Sequence, residues 1–325
     1  MCTAVTYHTK DHYFGRTLDL EHMFRETVTV TPRHFPFDFR CMGRRKSHHA
    51  LIGMATVVEG YPLYYEAANE HGLAMAGLNF PGNAHYFPVT EGKENIASFE
   101  LIPWILCNCR DLEEAKAALS RMNLCDIAFS DSLPPSPLHW MIADKTGALT
   151  VECTQEGMKL FDNPLGVLTN NPPFDYQMTH LADFMHLSPH SPKNSFGEVS
   201  LAPYSRGMGG MGLPGDLSSA SRFVRAAFVK LNSRSGESEM ESISQFFHIL
   251  GAVEQQRGCV QLENEEMEIT AYSSCINMER GIYYYTTYEN HCISAVNMHA
   301  CDLERDQLFT WPLIKDQSIY WQNGQ

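Results

Sequence analysis

The sequence predicts an α+β fold in which two mainly antiparallel sheets pack face to face with helices on their outer sides. Three observations lead there. Strand-like runs crowd both ends of the chain, helical periodicity takes over in parts of its middle, and no linker rich in Pro, Gly or Ser separates the blocks. Residues 1–325 are therefore expected to form a single domain. A chain of this size buries roughly 75% of its unfolded surface and needs no disulfide or metal staple.

Taken in order, the first strands are expected at Cys2 to Tyr7, Tyr13 to Leu18 and Glu26 to Thr31, the last an alternating run closed by Pro32. Ala50 to Val58, Leu63 to Ala68 and Leu73 to Leu78 follow. Between the last two, Asn69-Glu70-His71-Gly72 has the composition of a hairpin turn, with Gly72 free to take positive φ. From Phe99 the period turns helical, and Asp111 with Glu114 three residues on predicts a capping box opening a helix from Leu112 to Met122. Strands return at Leu138 to Ala143, Ala148 to Cys153, Lys159 to Phe161 and Gly166 to Thr169. Helices are expected near Phe174 to Met185, Ser219 to Leu231 and Ser242 to Gln256, and terminal strands at Glu268 to Ser274, Gly281 to Thr287 and Ile293 to Asn297.

Composition narrows the function. Hydrophobic residues at 44% and charged residues at 19% are those of a globular protein, and a net charge of −14 argues against a nucleic-acid partner, which needs a concentrated basic surface. The densest basic cluster, Arg44-Arg45-Lys46, is short and is expected to be a solvated turn between strands. No run of roughly 18 apolar residues occurs. The N-terminus lacks a charged segment followed by an apolar one, so a cytoplasmic protein without membrane insertion is expected. Ten scattered cysteines suit a reducing compartment and free thiols.

Several catalytic signatures are missing: G-x-S-x-G, H-E-x-x-H, a P-loop, and any Cys or His set with zinc spacing. No metal or other cofactor is expected. Cys107-Asn108-Cys109 has no partner pair and ends an apolar helical run, which favours packing over metal. The glycine-rich Gly207 to Gly212 lacks the preceding strand and the acidic residue of a dinucleotide loop, and reads as a substrate or subunit loop.

Cys2 carries the most information. Loss of Met1 ahead of this small residue would place a thiol and a free amine on one residue. With reference pKa values of about 8.5 and about 7.7 to 8.0, the amine can take the thiol proton near neutral pH, directly or through one water. Position alone leaves open that Cys2 is a small buried hydrophobe. Arg16 and Asp19 lie three residues apart in an apolar run. A regular strand sends them to opposite faces, so a turn or bulge near Leu18 is expected if both serve one site, and separate ion-pair partners are the alternative. Asn79 and Asn170 each close a strand, where Asn also caps turns. Arg222 falls in the first turn of an amphipathic helix, where the dipole disfavours a cation, which predicts a specific acidic or polar partner.

Together, Met1-Cys2-Thr3-Ala4, Phe14-Gly15-Arg16-Thr17-Leu18-Asp19, Asn69-Glu70-His71-Gly72-Leu73, Ala76-Gly77-Leu78-Asn79-Phe80, Leu168-Thr169-Asn170-Asn171-Pro172, and Gly212-Leu213-Pro214-Gly215-Asp216 with Ser221-Arg222-Phe223 closely resemble the choloylglycine hydrolases, or bile salt hydrolases. The likeness runs nearly end to end, through Gly281-Ile282-Tyr283-Tyr284-Tyr285. It implies an N-terminal nucleophile (Ntn) hydrolase with a four-layer αββα sandwich, usually a homotetramer without cofactor. The implied substrates are conjugated bile acids such as glycocholate and taurocholate, cleaved at the amide to glycine or taurine.

By the same resemblance Cys2 would be the nucleophile, Arg16 and Asp19 would position its thiol and amine, Asn79 and Asn170 would serve the oxyanion site and the N-terminal hydrogen bonds, and Arg222 would complete the network. Leu18, Val58, Tyr65, Phe129, Leu133 and Leu138 would wall a steroid pocket, with ordinary core packing as the alternative for each. Arg206, in Ser205-Arg206-Gly207, resembles a loop associated with preference for glycine conjugates, where it could pair with the glycine carboxylate. Penicillin V acylases share the machinery but tend to carry Tyr at the place of Asn79, which favours bile salts. A penicillin V or other N-acyl amide acylase is the nearest rival expectation, and a non-catalytic steroid-binding protein that keeps Met1 is the rival from another class.

Overall fold

Two antiparallel sheets dominate the computed structural model, which describes residues 1–324. The smaller has six strands in the order Val167–Leu168, Cys2–His8, His12–Leu20, Ile269–Asn277, Ile282–Thr287 and Ser294–Asn297. The larger has eight, in the order Gly157–Asp162, Gly147–Thr154, Leu138–Asp144, Ala74–Asn79, Tyr61–Asn69, Leu51–Val58, Thr27–Thr31 and Phe309–Pro312. The first strand of the chain is thus an internal one. It pairs along its whole length with His12–Leu20, from Cys2 opposite Leu18 to His8 opposite His12, and with Val167–Leu168 on its other side.

Side-chain alternation explains the layering. In the larger sheet Ile52, Met54, Ala74, Ala76, Leu78 and Met141 join one buried cluster with Ala4, Phe14 and Leu18 of the smaller sheet. Their neighbours Leu51, Leu73, Met75, Trp140 and Ile142 join a second cluster with the helices Leu101–Asn108 and Leu112–Leu119. Beyond the smaller sheet, helices Ser219–Asn232 and Glu239–Gly251 bury Phe223, Ala226, Phe246 and Ile249. Helix, sheet, sheet and helix follow one another, the αββα sandwich that the sequence predicts. Among the described residues no helix is long and apolar enough to cross a membrane, and all ten cysteines are free.

Local departures have local causes. Asp111 caps its helix by accepting from Glu114 N at 2.9 Å, but the Glu114 carboxylate accepts from Arg110 N rather than from Asp111 N. That helix ends at Leu119, not Met122, because Met122–Cys125 leaves it to pair in parallel with Glu94–Ala97. The helix expected from Ser242 begins at Glu239, where Ser238 and Glu241 form a complete capping box, and it stops at Gly251. Phe174–Leu181 is α-helical and continues as a 3-10 turn over Ala182–Phe184. The basic cluster is not a simple turn: Gly43–Arg45 pairs with Phe37–Phe39, and Arg45 lies 5.4 Å over the Trp104 ring.

Gly15 sits where the smaller sheet is tightest. A Cβ built there would lie 1.9 Å from Ser274 O on the adjacent strand, a main-chain atom that cannot swing aside. Gly15→Ala is expected to lower the unfolding free energy by at least about 1–3 kcal/mol, as overpacking does. Urea denaturation checks this, and an unchanged midpoint would show that the strands separate freely.

Candidate active site

The start of the chain is where interior polar groups converge. Cys2 is 3% exposed, so solvent does not satisfy its backbone. Its nitrogen donates to Asn170 Oδ1 at 2.7 Å and its carbonyl accepts from Arg222 Nη1 at 2.6 Å. Ser218 caps the helix that carries Arg222, accepting from Ser221 N, and the fully buried guanidinium reaches back to the first strand. It donates to Thr3 Oγ1 at 2.6 Å, Asn170 Oδ1 at 2.9 Å and, through Nε, Leu217 O at 3.0 Å, and it stands 3.9 Å from Asp19 Oδ2. Burial pulls the pKa of Arg222 down, and Asp19, Cys2 and Glu268 offset part of that. The partner that the helix-dipole argument requires is therefore a set of oxygens around Cys2.

Asn170 is itself fixed from several sides. Its amide nitrogen donates to Ser219 Oγ at 2.8 Å, and its Nδ2 donates to the Asn79 carbonyl at 2.7 Å. The preceding carbonyl, Thr169 O, lies 2.8 Å from Nε2 of the buried His139, whose Nδ1 is 3.2 Å from Glu152 Oε1. Strand register makes that pair, since Trp140 opposite Val151 puts His139 opposite Glu152. The Asn79 side chain, exposed at the end of its strand, makes no hydrogen bond among the described residues.

Asp19 and Arg16 approach Cys2 from opposite faces of one strand. Asp19 accepts from Thr270 Oγ1 at 2.6 Å and Thr17 Oγ1 at 3.1 Å, while its amide donates to Met1 O at 2.9 Å. The Met1 ammonium donates to Asp19 O at 2.6 Å and pairs with Glu268. Burial raises the pKa of Glu268, against the pull of that ammonium. Arg16 shares the other face with Leu18 and, across the pair, with Cys2. Its Nη1 donates to Gly77 O at 2.6 Å and Tyr65 O at 3.3 Å, and its Nε lies 3.8 Å from Glu66. Its Nη2 is buried without a partner. The expected turn or bulge near Leu18 does not occur: His12–Leu20 is unbroken, and the irregularity falls in the neighbouring strand between Thr270 and Tyr272. No kink is needed because the thiol side and the backbone side of Cys2 are served separately.

Tyr65 and Gly77, whose carbonyls hold Arg16, also line a mainly apolar cavity of about 270 Å³. Val58, Phe129, Leu133 and Leu138 line it as well. Leu18 does not; it is packed in the inter-sheet core beside Cys2. Arg206 is exposed on a surface loop, and neither the cavity lining nor the hydrogen bonds around Cys2 include it. One group among the described residues could offer three metal ligands, His49, Glu70 and His71. Glu70 is already engaged by Arg33 and the Ala50 amide, and His49 Nδ1 and His71 Nε2 lie 3.0 Å apart, as in a hydrogen bond.

Sequence reasoning missed Glu66, fully buried, which accepts from Tyr272 OH at 2.8 Å and from Tyr283 OH. A carboxylate inside the apolar run Tyr64-Tyr65-Glu66-Ala67-Ala68 was the available signal. Burial raises its pKa, and Arg16, Tyr283 and Tyr272 draw it back. His139 and Glu152 gave a similar signal, each alone in an apolar strand.

A model of the choloylglycine hydrolase family, linear amide C–N hydrolases, matches residues 2–311. A bile salt hydrolase/transferase of Lactiplantibacillus plantarum is 51% identical over 321 residues, covering 98% of this chain and 99% of that one. The crystal structure of a conjugated bile acid hydrolase from Clostridium perfringens superposes with a TM-score of 0.92 at 38% identity, covering 99% of this chain and 100% of the other. A penicillin V acylase from Agrobacterium tumefaciens shares the fold, with a TM-score of 0.73 at 20% identity over 95% of this chain and 90% of that one.

Glu66→Gln tests the charge opposite Arg16. With Glu66 ionised, the exchange strands a buried guanidinium and is expected to cost about 3–5 kcal/mol in urea unfolding. A loss below about 1 kcal/mol, the scale of one ordinary hydrogen bond, would identify the carboxyl as neutral.

Proposed function

The chain belongs to the choloylglycine hydrolase family of linear amide C–N hydrolases, and on that premise we propose a bile salt hydrolase in which Cys2, made N-terminal by removal of Met1, cleaves the amide between a bile acid and glycine or taurine. The observation that carries the reading is the hydrogen bond of 2.7 Å from the Cys2 nitrogen to Asn170 Oδ1. While Met1 is attached that nitrogen is an amide, with one N–H and no basic lone pair. Once Met1 is gone it is an amine, which can keep Asn170 as its acceptor and still take the thiol proton.

The steps follow from that geometry. The Cys2 thiolate attacks the amide carbon, a C–S bond forms, and the carbonyl electron pair moves to oxygen. Asn79, with its side-chain amide unspent, is the donor for this oxyanion. Asn170, whose Nδ2 is held by Asn79 O at 2.7 Å, positions the amine instead. One such donor is worth about 2.7–4 kcal/mol in a comparable hydrolase. Collapse breaks the C–N bond as the Cys2 ammonium returns its proton to the departing glycine or taurine nitrogen. The amine then takes a proton from water, hydroxide attacks the thioester, and the bile acid leaves as Cys2 regains its proton.

Arg222 holds the Cys2 carbonyl, Asp19 stands 3.9 Å from that guanidinium as its counter-charge, and Arg16 supplies positive charge on the thiol face. The apolar cavity suits a rigid steroid, bound by burial at about 25 cal/mol per Å² rather than by many hydrogen bonds. A single domain, a homotetramer and a cytoplasmic setting belong to the same proposal. The tetramer is supported by the family resemblance and by exposed Met185, Phe196, Val199, Leu201 and Tyr204, which a second subunit would cover.

Intact mass and glycine release from glycocholate, read on one sample, test the core of this. Loss of Met1 with release of glycine is expected, and Cys2→Ala, still trimmed, should release it at less than about one-thousandth of the rate. Turnover by protein that retains Met1 would overturn the mechanism. Arg206 is proposed to recognise the glycine carboxylate. Arg206→Ala should then lower kcat/KM for glycocholate more than for taurocholate, and equal losses would reject that role.

A further inference from the structure

We infer that the Thr56–Tyr65 hydroxyl pair reads a hydroxyl group on the steroid nucleus, so that polyhydroxylated bile acid conjugates are preferred to monohydroxylated ones. The inference rests on the bile salt reading above and goes beyond it by naming the feature of the steroid that is recognised. Both residues line the cavity, whose wall around them is otherwise largely carbon, from Val58, Leu63, Phe129, Leu133 and Leu138.

Donor and acceptor roles follow from counting protons. Thr56 Oγ1 lies 3.2 Å from Phe24 O and 2.9 Å from Tyr65 OH. A main-chain carbonyl can only accept, so the single Thr56 proton goes to Phe24 O. Tyr65 must then donate its own proton to Thr56 Oγ1. Burial pushes the phenol pKa up, so it stays protonated. The Tyr65 oxygen is left with a lone pair that no donor among the described residues engages, at the wall of an apolar cavity.

A ligand that excludes water there but presents only C–H leaves this acceptor unpaired, which is unfavourable. A ring hydroxyl pointing to the same spot donates to it. The reacting end of the substrate is not the group concerned, because its carbonyl must reach Cys2, on the face where Arg16 is held by Gly77 O. Tyr65 stands beside that end, its own carbonyl held by Arg16, so the recognised hydroxyl lies on the rings nearer the side chain and is not the one at C3, the far end of the nucleus, which monohydroxylated and polyhydroxylated conjugates share.

The test measures kcat/KM for glycocholate, with three ring hydroxyls, and glycolithocholate, with one. The wild-type chain should prefer glycocholate. Tyr65→Phe should lower the ratio of the two kcat/KM values about two- to twelvefold, the range for one net hydrogen bond, mainly through KM for glycocholate. Thr56→Ala, which frees the phenol from its fixed acceptor, should move the ratio the same way by less, and Thr56→Ser should restore it. An unchanged ratio in Tyr65→Phe, with either substrate still hydrolysed by the wild type, overturns the inference alone. Failure of the wild type to hydrolyse any bile acid conjugate overturns it together with the functional reading.

Discussion

A chain terminus buried between two sheets must find a partner for every polar group it brings with it. That constraint organises this protein. The Cys2 nitrogen is met by Asn170, its carbonyl by Arg222, the Thr3 amide by Thr17 Oγ1, and the Met1 carbonyl by Asp19 N. These partners come from the second strand, the segment after Val167–Leu168 and the helix Ser219–Asn232, so distant parts of the chain must be assembled before the first residues can be seated. Cys2 itself is held by Asn170 and Arg222, residues far from it in the sequence.

The same constraint explains why charge is divided between two faces. Arg222 sits behind the first strand, where it holds the Cys2 carbonyl with Asp19 beside it, and Arg16 and Glu66 sit in front, between the sheets. A buried cation without an anion and hydrogen bonds is costly, and one with both can be neutral in stability while fixing a geometry. Placing one pair on each face lets Cys2 be gripped from behind while its thiol is approached from the front. A bulge that swung Arg16 and Asp19 to one side would have paired them with each other and left Arg222, behind the strand, without its carboxylate.

Much of this was legible in the sequence where local rules decide, and not where a distant partner does. Alternation and caps located most strands and helices, and the misplaced cation at the start of its helix led correctly to a polar partner for Arg222. Met122 was read as the end of a helix, and the strand Met122–Cys125 that it opens went unread, because the strand it joins, Glu94–Ala97, lies far back in the chain. Phe309–Pro312 went unread for the same reason, its partner being Thr27–Thr31. Leu18 was assigned to the cavity from its motif, but strand register against Cys2 turns it into the inter-sheet core. Glu66 was overlooked although an acid in an apolar run is a signal by itself. What hid its meaning was that its partners, Arg16, Tyr272 and Tyr283, lie on three strands of the other sheet.

The join between the two sheets also separates the polar groups around Cys2 from the apolar cavity. The groups around Cys2 come from the smaller sheet and its helix, with Asn79 at the end of an internal strand of the larger one, while the cavity wall is built by the larger sheet and its loops. Arg16 crosses between them, and it does so through main-chain carbonyls of Tyr65 and Gly77. A carbonyl is present whatever side chain its residue carries, so position 65 can change the shape and polarity of the wall without withdrawing the acceptor that fixes Arg16. Gly77 has less freedom, because a Cβ there would meet Trp140 Nε1 at 3.1 Å. The cavity wall can therefore vary at the side chains of Thr56, Val58, Tyr65 and the 129–138 loop while Arg16 is kept in place by backbone atoms that substitution does not remove.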